Sequence, residues 1–171
     1  MAKEKKFVTS GGFIGNFIVD FIIWNFLLGL VYQFVIAFIS SANQSLAGVI
    51  NVIGVVAITW GIVYIAIRRV FSFKKLKIED SKKAFVGVAV IVVLFAILQF
   101  YMSYDALVMS LNNPWSSSGM FVPSVMHNDV ITKGIILYAL ESIGIIVVLP
   151  FANKWIKNRC ETEENVVNNE F

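Results

Sequence analysis

The chain has 171 residues, of which 58% are hydrophobic and 15% are charged, with a formal net charge of +3 and a mean hydropathy of +0.78. These values lie outside the range of a water-soluble domain and predict an integral membrane protein. With one cysteine and one histidine, the chain lacks the residues for a thiol redox relay, a Cys-rich metal site or a histidine-based triad. We therefore expect no metal, no cofactor and no enzyme activity.

Four long apolar stretches follow one another along the chain. They cover about residues 13–39, 46–67, 84–101 and 135–155. A bilayer core about 30 Å thick needs about 20 apolar residues in a helix. Backbone amides in lipid must bond within their own segment, so stretches this continuous predict helices rather than barrel strands. The predicted fold class is all-α, a polytopic membrane protein with four transmembrane helices in two tandem hairpins.

The basic residues indicate how these helices are oriented. Three precede the first helix, seven lie between the second and third, three follow the fourth, and Lys133 alone lies on the other side. Because cytoplasmic loops carry an excess of Lys and Arg, we predict a multi-pass protein of the cell membrane with both termini cytoplasmic. The basic loops predict contact with anionic membrane lipids and no binding of nucleic acid.

Residues 102–132 are predicted to form the one substantial connection on the outer side. Two prolines and Gly119 oppose a continuous helix, whereas Trp115 and Phe121 are suited to the membrane interface. We expect a loop anchored by its aromatic residues, and the alternative is a lid over a headgroup site. A single transmembrane domain then covers residues 1–157, and residues 158–171 form a short acidic cytoplasmic tail.

Two carboxyl groups lie within the apolar stretches and are the first candidates for function. Asp20 lies about 12 Å from the cytoplasmic edge of helix 1, and Glu141 about 12 Å from the outer edge of helix 4. A carboxylate at such depth costs about 2.5–3.5 kcal/mol on insertion scales. The sequence places no Lys or Arg at this depth, so we expect protonated or water-linked carboxyls facing the bundle interior rather than salt bridges.

Other polar residues extend this pattern. Asn16 is four residues before Asp20 and shares its helical face, whereas Asn25 and Gln33 project elsewhere. The residues that can join the carboxyls from their own or neighbouring helices are Asn16, Asn51, Gln99, Tyr138 and Ser142. Together they predict a small polar path through the bundle. The alternative is that the amides only hold helices together, for about 0.6 kcal/mol each.

Two further features concern packing. Ala47, Gly54 and Gly61 recur every seven residues on helix 2, so this face is expected to approach another helix closely. Pro150 removes a backbone donor near the inner end of helix 4 and is expected to bend it just before Asn153.

Short motifs at the helix ends resemble a known family. Arg68-Arg69-Val70-Phe71 follows helix 2, and Asn153-Lys154-Trp155 follows helix 4, so each half ends in a basic and aromatic stop. With the early pair Gly11-Gly12 and the acidic Asp20, this pattern resembles the GtrA-like family of small four-helix membrane proteins. The resemblance implies translocation or handling of polyprenyl-phosphate-linked sugars for the glycosylation of cell-surface polysaccharides.

A lipid-linked sugar phosphate needs basic groups at the cytoplasmic rim and polar groups through the core. The candidate substrate-binding or translocation residues are Asn16, Asp20, Glu141, Arg68, Arg69 and Lys154. Because four helices enclose little space, we also expect a homo-oligomer or a membrane protein partner.

Two alternatives remain open at this point. A proton-coupled exporter of small cationic molecules would use Glu141 as its switchable carboxylate. A non-catalytic membrane subunit or regulator of a larger complex would use the helix faces and basic loop only to bind another protein.

Overall fold

The computed structural model describes residues 6–42, 44–112 and 127–160. These ranges are almost entirely helical, because long runs of Leu, Ile, Val, Ala and Phe with few breakers propagate a helix. The helices are α1 (Ser10–Ala42), α2 (Gln44–Phe73), α3 (Ser81–Asn112), α4 (His127–Ile146) and α5 (Val148–Lys157).

Four stretches are long and apolar enough to cross a membrane, as the sequence predicts. They are Ser10–Ile39, Gly48–Phe73, Ile78–Leu111 and Asn128–Lys157. Their length and apolar composition agree with the predicted number, but the helices are longer than expected. Residues 102–112 continue α3 and residues 127–132 begin α4, so the two ends of the predicted outer loop are helical. No proline or glycine interrupts either end. The middle of that loop, with its aromatic anchor, and residues 161–171 of the tail lie outside the described residues.

The helices form a four-cornered bundle of two antiparallel hairpins, α1 with α2 and α3 with α4. The hairpins meet where α1 packs against α3 and where α2 packs against α4 and α5. Consequently α1 and α4 stand at opposite corners. Side chains that point into the centre from these two helices can approach only across the middle of the bundle.

One end of the bundle is rich in basic residues and is closed by a short pairing of strands. Strand β1 (Lys6–Phe7) runs parallel to β2 (Lys74–Lys75), and the Val8 amide donates to the Lys75 carbonyl at 2.9 Å. A 3₁₀ turn, Ile78–Asp80, then leads into α3. We call this the basic end.

The buried apolar core is concentrated in the half of the bundle nearest the basic end, which we call the packed half. Its fully or nearly buried side chains are Phe13, Phe17, Phe21, Ile62, Val63, Ala66, Ile67, Val70, Phe71, Leu76, Ala84, Val88, Val92, Ala96, Ile145, Val148, Ala152 and Ile156. Towards the other end, in what we call the open half, the large apolar side chains of α1 are exposed, including Phe26, Phe34 and Phe38. Close packing is therefore confined to one half.

The fourth span is broken into α4 and α5 at Val147. Pro150 has no amide hydrogen to donate to the carbonyl of residue 146, and its ring crowds that carbonyl, so the helix is disturbed one turn before the proline. The structure shows an interruption of the helix at Val147, one turn before the proline, and none just before Asn153, where the bend was expected. The Trp60 indole of α2 donates to the Gly144 carbonyl at 2.9 Å, which ties the break to α2.

The glycines of α2 differ in the space around them. A Cβ atom at Gly54 would overlap the Tyr32 ring and hydroxyl of α1, whereas a Cβ at Gly61 would meet nothing within 4 Å. The side chain of Ala47 is not among those described. The expected close approach therefore occurs at Gly54, where α1 and α2 cross.

Candidate functional site

Glu141 lies close to the middle of the fourth span, at the junction between the two halves of the bundle. Its side chain is only 1% exposed. No hydrogen bond of good geometry reaches either carboxyl oxygen among the described residues, and the Gln99 side chain is the group close enough to form one. Buried polar groups are normally hydrogen-bonded, and a group without a partner points to function or to an absent ligand, ion or water. Glu141 is therefore the most unusual side chain in the described structure.

Three polar side chains face this carboxyl. The Gln99 side chain approaches from α3, and the hydroxyls of Tyr32 on α1 and Tyr138 on α4 are near enough to interact with it electrostatically. The Tyr32 hydroxyl also lies 3.1 Å from the carbonyl oxygens of Ile50 and Asn51. It can donate to only one of them at a time. Gly54 permits this contact, because any side chain there would displace the Tyr32 ring.

A cavity with both polar and apolar wall residues lies among α1, α2 and α3, beside Tyr32 and Gln99, which face the Glu141 carboxyl. Its volume is about 260 Å³. It is lined by Asn25, Gly29, Tyr32, Gln33, Val55, Ile58, Thr59, Phe95, Gln99 and Met102. Tyr32 and Gln99 belong both to the cavity wall and to the surroundings of Glu141. The cavity and the buried carboxyl are thus parts of one site.

The polar groups of the cavity are neutral amides and hydroxyls. The Asn25 amide donates to the Phe21 carbonyl at 2.9 Å, and the Thr59 hydroxyl donates to the Val55 carbonyl at 2.8 Å. Each keeps a side-chain oxygen that can accept a hydrogen bond from a ligand. The wall therefore offers several hydrogen-bonding groups and no fixed charge among the residues that line it.

The cavity is open on one side and closed on another. Gln33 on α1 and Met102 on α3 are exposed, so the cavity opens between these two helices, within the predicted span. Towards the basic end, Phe95 packs edge-on against buried Phe21, with ring centroids 5.3 Å apart. This aromatic pair forms an apolar floor between the cavity and the packed half.

Asp20 is paired with a basic residue, contrary to the expectation from sequence. Arg69 Nε lies 3.3 Å from Asp20 Oδ1, with side-chain exposures of 48% and 13%. The antiparallel α1–α2 hairpin places the end of α2 beside α1, and the long arginine side chain bridges the remaining distance. The expectation that no Lys or Arg reaches this carboxyl is wrong for Asp20.

The two carboxyl groups do not meet. Tyr32, which faces Glu141, is twelve residues beyond Asp20 on α1, or about 18 Å along the helix. The Asn16 amide donates to the Gly12 carbonyl of its own helix at 2.6 Å, on an exposed part of α1. The apolar floor lies between these groups and the cavity. The predicted polar path is therefore interrupted.

The remaining predicted site residues lie at the basic end. Arg68 and Arg69 border an open groove of about 380 Å³ on α2, together with Tyr64, Ile65, Ser72 and Phe73. Lys154 is exposed on α5. The Arg159 guanidinium lies over the Tyr64 ring, 5.4 Å from its centroid. The basic end thus presents several cations near exposed aromatic surface, suited to an anionic headgroup.

Sequence reasoning missed most of the cavity wall. Asn25 and Gln33 do project away from Asp20, as predicted, but they project into the cavity. The signal that was available is their spacing with Gly29: positions 25, 29 and 33 follow one another at four-residue intervals and form a single polar and small face.

The described residues contain no cluster of three or more His, Cys, Asp or Glu side chains that could hold a metal ion. Comparisons with family models, with curated proteins and with solved structures find no match to this chain. The geometry of the site is therefore the basis for inferring function.

Proposed function

We propose that this protein binds and translocates the polar part of a membrane lipid, with a polyprenyl-phosphate-linked sugar as the substrate that the sequence favours. The observation that supports this proposal is the cavity, whose amide and hydroxyl wall opens between α1 and α3. A lipid-linked sugar can enter such an opening from the side while its polyprenyl chain stays in the bilayer.

The chemistry of the cavity suits a sugar. Sugar hydroxyls both donate and accept hydrogen bonds, as do the side chains of Asn25, Gln33 and Gln99. The apolar part of the wall, from Val55, Ile58 and Phe95, suits the faces of a pyranose ring. A volume of about 260 Å³ is close to the lower limit of roughly 300 Å³ for small-molecule sites. One sugar unit, rather than an oligosaccharide, is the proposed occupant.

The phosphate is proposed to bind at the basic end, away from the cavity. Arg68 and Lys154 are exposed at the basic end, and Arg69 is half exposed beside Asp20. The positive-inside rule assigns this end to the cytoplasm, where the phosphate would first meet the protein. The apolar floor separates this groove from the cavity, so translocation requires a change of packing at Phe21 and Phe95.

The test is mass spectrometry of polyprenyl-linked sugars and surface glycans in cells that lack the protein. We compare complementation by the wild type, by Asn25→Leu in the cavity, and by the same substitution at Asn128, which is exposed at the start of α4 and lines neither the cavity nor the groove of the basic end. We expect accumulated lipid-linked sugar and lost glycan decoration, restored by the wild type and by Asn128→Leu but not by Asn25→Leu.

Unchanged lipids and glycans in the deletion strain would contradict the proposal. In that case, drug resistance that disappears in Glu141→Gln would favour a proton-coupled exporter. Copurification of one stoichiometric membrane partner, with Glu141→Gln and Asp20→Asn both harmless, would instead favour a non-catalytic subunit.

A further inference from the structure

The binding of a neutral sugar does not explain why the Glu141 carboxyl is buried. This carboxyl is almost completely buried near the middle of a candidate span, and no cation is paired with either of its oxygens among the described residues. An ionised carboxylate in this position is costly unless a cation balances it. The question is which cation reaches it.

Within the part of the chain that the structure describes, no fixed positive charge faces Glu141. The groups that face it are the Tyr32 hydroxyl from α1, the Gln99 amide from α3 and the Tyr138 hydroxyl from its own helix. The charged side chains of α2, Arg68 and Arg69, are at the basic end. Tyrosine hydroxyls and an amide can donate hydrogen bonds but carry no positive charge at neutral pH.

Access to the carboxyl is one-sided. Gln99 and Tyr32 connect it to the cavity, because both line the cavity wall. In the other direction lie the buried side chains of the packed half, beginning with Phe21, Ala96 and Ile145. The polar side chains beside them, Ser142 and Trp60, already donate to the backbone carbonyls of Ala96 and Gly144. Among the described residues, close apolar packing therefore offers no continuous row of exchangeable groups towards the basic end.

We propose that Glu141 is a proton-binding site that exchanges protons with the cavity, through Gln99 and Tyr32, and not with the basic end. This inference does not depend on what the cavity binds. It predicts a carboxyl that is held as the neutral acid within the membrane and is reached from one side only.

The experiment uses dicyclohexylcarbodiimide, an apolar reagent that partitions into bilayers and reacts with protonated carboxyls. The acid proton passes to a carbodiimide nitrogen while a carboxyl oxygen bonds to the central carbon. Acyl migration to nitrogen then gives a stable N-acylurea with the mass of one reagent added. The full chain is labelled in proteoliposomes and the adduct is located by peptide mass spectrometry.

We expect the adduct on Glu141 and a labelling rate that falls as the pH is raised from mildly acidic to alkaline. The adduct should be retained in Asp20→Asn, because Asp20 is ion-paired near the basic end, and should be lost from this peptide in Glu141→Gln. Labelling of Asp20 but not of Glu141 in the wild type would overturn the proposal. A labelling rate at Glu141 that is independent of pH would also overturn it. Both results come from the wild type and do not require a stable variant.

The route through Gln99 has its own matched control. Gln99→Leu removes the amide donor that faces the carboxylate, so the ionised form is disfavoured and labelling of Glu141 should persist to higher pH. Tyr101→Leu, at an exposed position on the same helix outside the cavity wall, should leave the pH dependence unchanged. Equal pH dependence in the two variants and the wild type would overturn the proposed link through Gln99. Because the readout is the adduct, the result is independent of any change in lipids or glycans.

Discussion

The two halves of the bundle are built from equally apolar sequence but are packed in different ways. In the packed half, side chains from all the helices and from the α2–α3 connection are buried against one another. In the open half, α1 exposes its large apolar residues and the space among α1, α2 and α3 holds a polar cavity.

This difference indicates that hydrophobicity alone does not determine packing among helices apolar enough to cross a membrane. Lipid chains are as apolar as leucine, so apolar side chains gain little by turning inward, and close packing depends on shape. The packed half has interdigitating Phe and small residues such as Ala66, Ala84 and Ala96. The open half instead directs its amides and hydroxyls inward.

The largest expected effect is a loss of stability in the packed half. Phe17→Ala removes a fully buried ring and should lower the free energy of unfolding by about 2 kcal/mol. This is less than the roughly 3–5 kcal/mol of a water-soluble core, because the cavity term remains while the transfer term is small in lipid. Phe34→Ala, on the same helix but 76% exposed, should change little. The free energy of unfolding of each variant is measured in mixed detergent micelles by circular dichroism. Equal losses in the two variants would contradict the difference in packing between the two halves.

A smaller loss of stability is expected at Gly54, where α1 and α2 cross in the open half. Gly54→Ala forces the Tyr32 ring away from α2 and should cost about 1–2 kcal/mol through overpacking and loss of the hydroxyl contact. Gly61→Ala is the matched control on the same helix, where the added methyl meets nothing within 4 Å. That variant should be neutral or slightly stabilising, because alanine favours helix. If Gly54→Ala were equally neutral, the α1–α2 crossing would differ from the one described.

The Asp20–Arg69 pair should contribute still less. Arg69 is about half exposed, so a double-mutant cycle with Asp20→Asn and Arg69→Gln should give a coupling of at most about 1 kcal/mol, reduced by salt. The Asp129–Lys133 pair, which is more exposed, provides a comparison and should give about 0.3–0.5 kcal/mol. A coupling well above this range would indicate that Asp20 is held in a much drier environment.

The smallest effect concerns the thiol beyond α5. Burial, with a further contribution from the Asp80 carboxylate, raises the pKa of Cys160 to about 11. A raised pKa means that the thiolate, which is the reactive form, appears only at higher pH. Alkylation by iodoacetamide should therefore be slow at neutral pH and accelerate towards about pH 11, and Asp80→Asn should shift this profile to lower pH. A profile centred on the ordinary value of 9.0 would show that the thiol is exposed.

The number and approximate position of the spans could be read from the sequence, because about 20 consecutive apolar residues are a local property. The positions of the helix ends were harder to predict from the sequence. The end of α3 lies near Asn112, because nothing before the Asn113-Pro114 pair stops the helix. The sequence predicts that Pro150 disturbs its helix. The disturbance lies at Val147 because the proline leaves the carbonyl of residue 146, one turn earlier, without its usual donor.

The site was predictable only in part. Glu141 could be recognised, because a carboxyl within an apolar stretch is unusual whatever surrounds it. The partner of Asp20 could not, since it depends on how α1 and α2 are aligned and on the length of the Arg69 side chain. The cavity combines residues from three helices, and a linear sequence does not state which faces of different helices meet.

The pairing of β1 with β2 has a consequence for biosynthesis. Lys6 is translated before α1, yet its partner Lys74 lies beyond the end of α2. The α1–α2 hairpin must therefore leave the ribosome before β1 can pair with β2. Formation of α1 and the strand pairing that fixes its start are thus separate events in time.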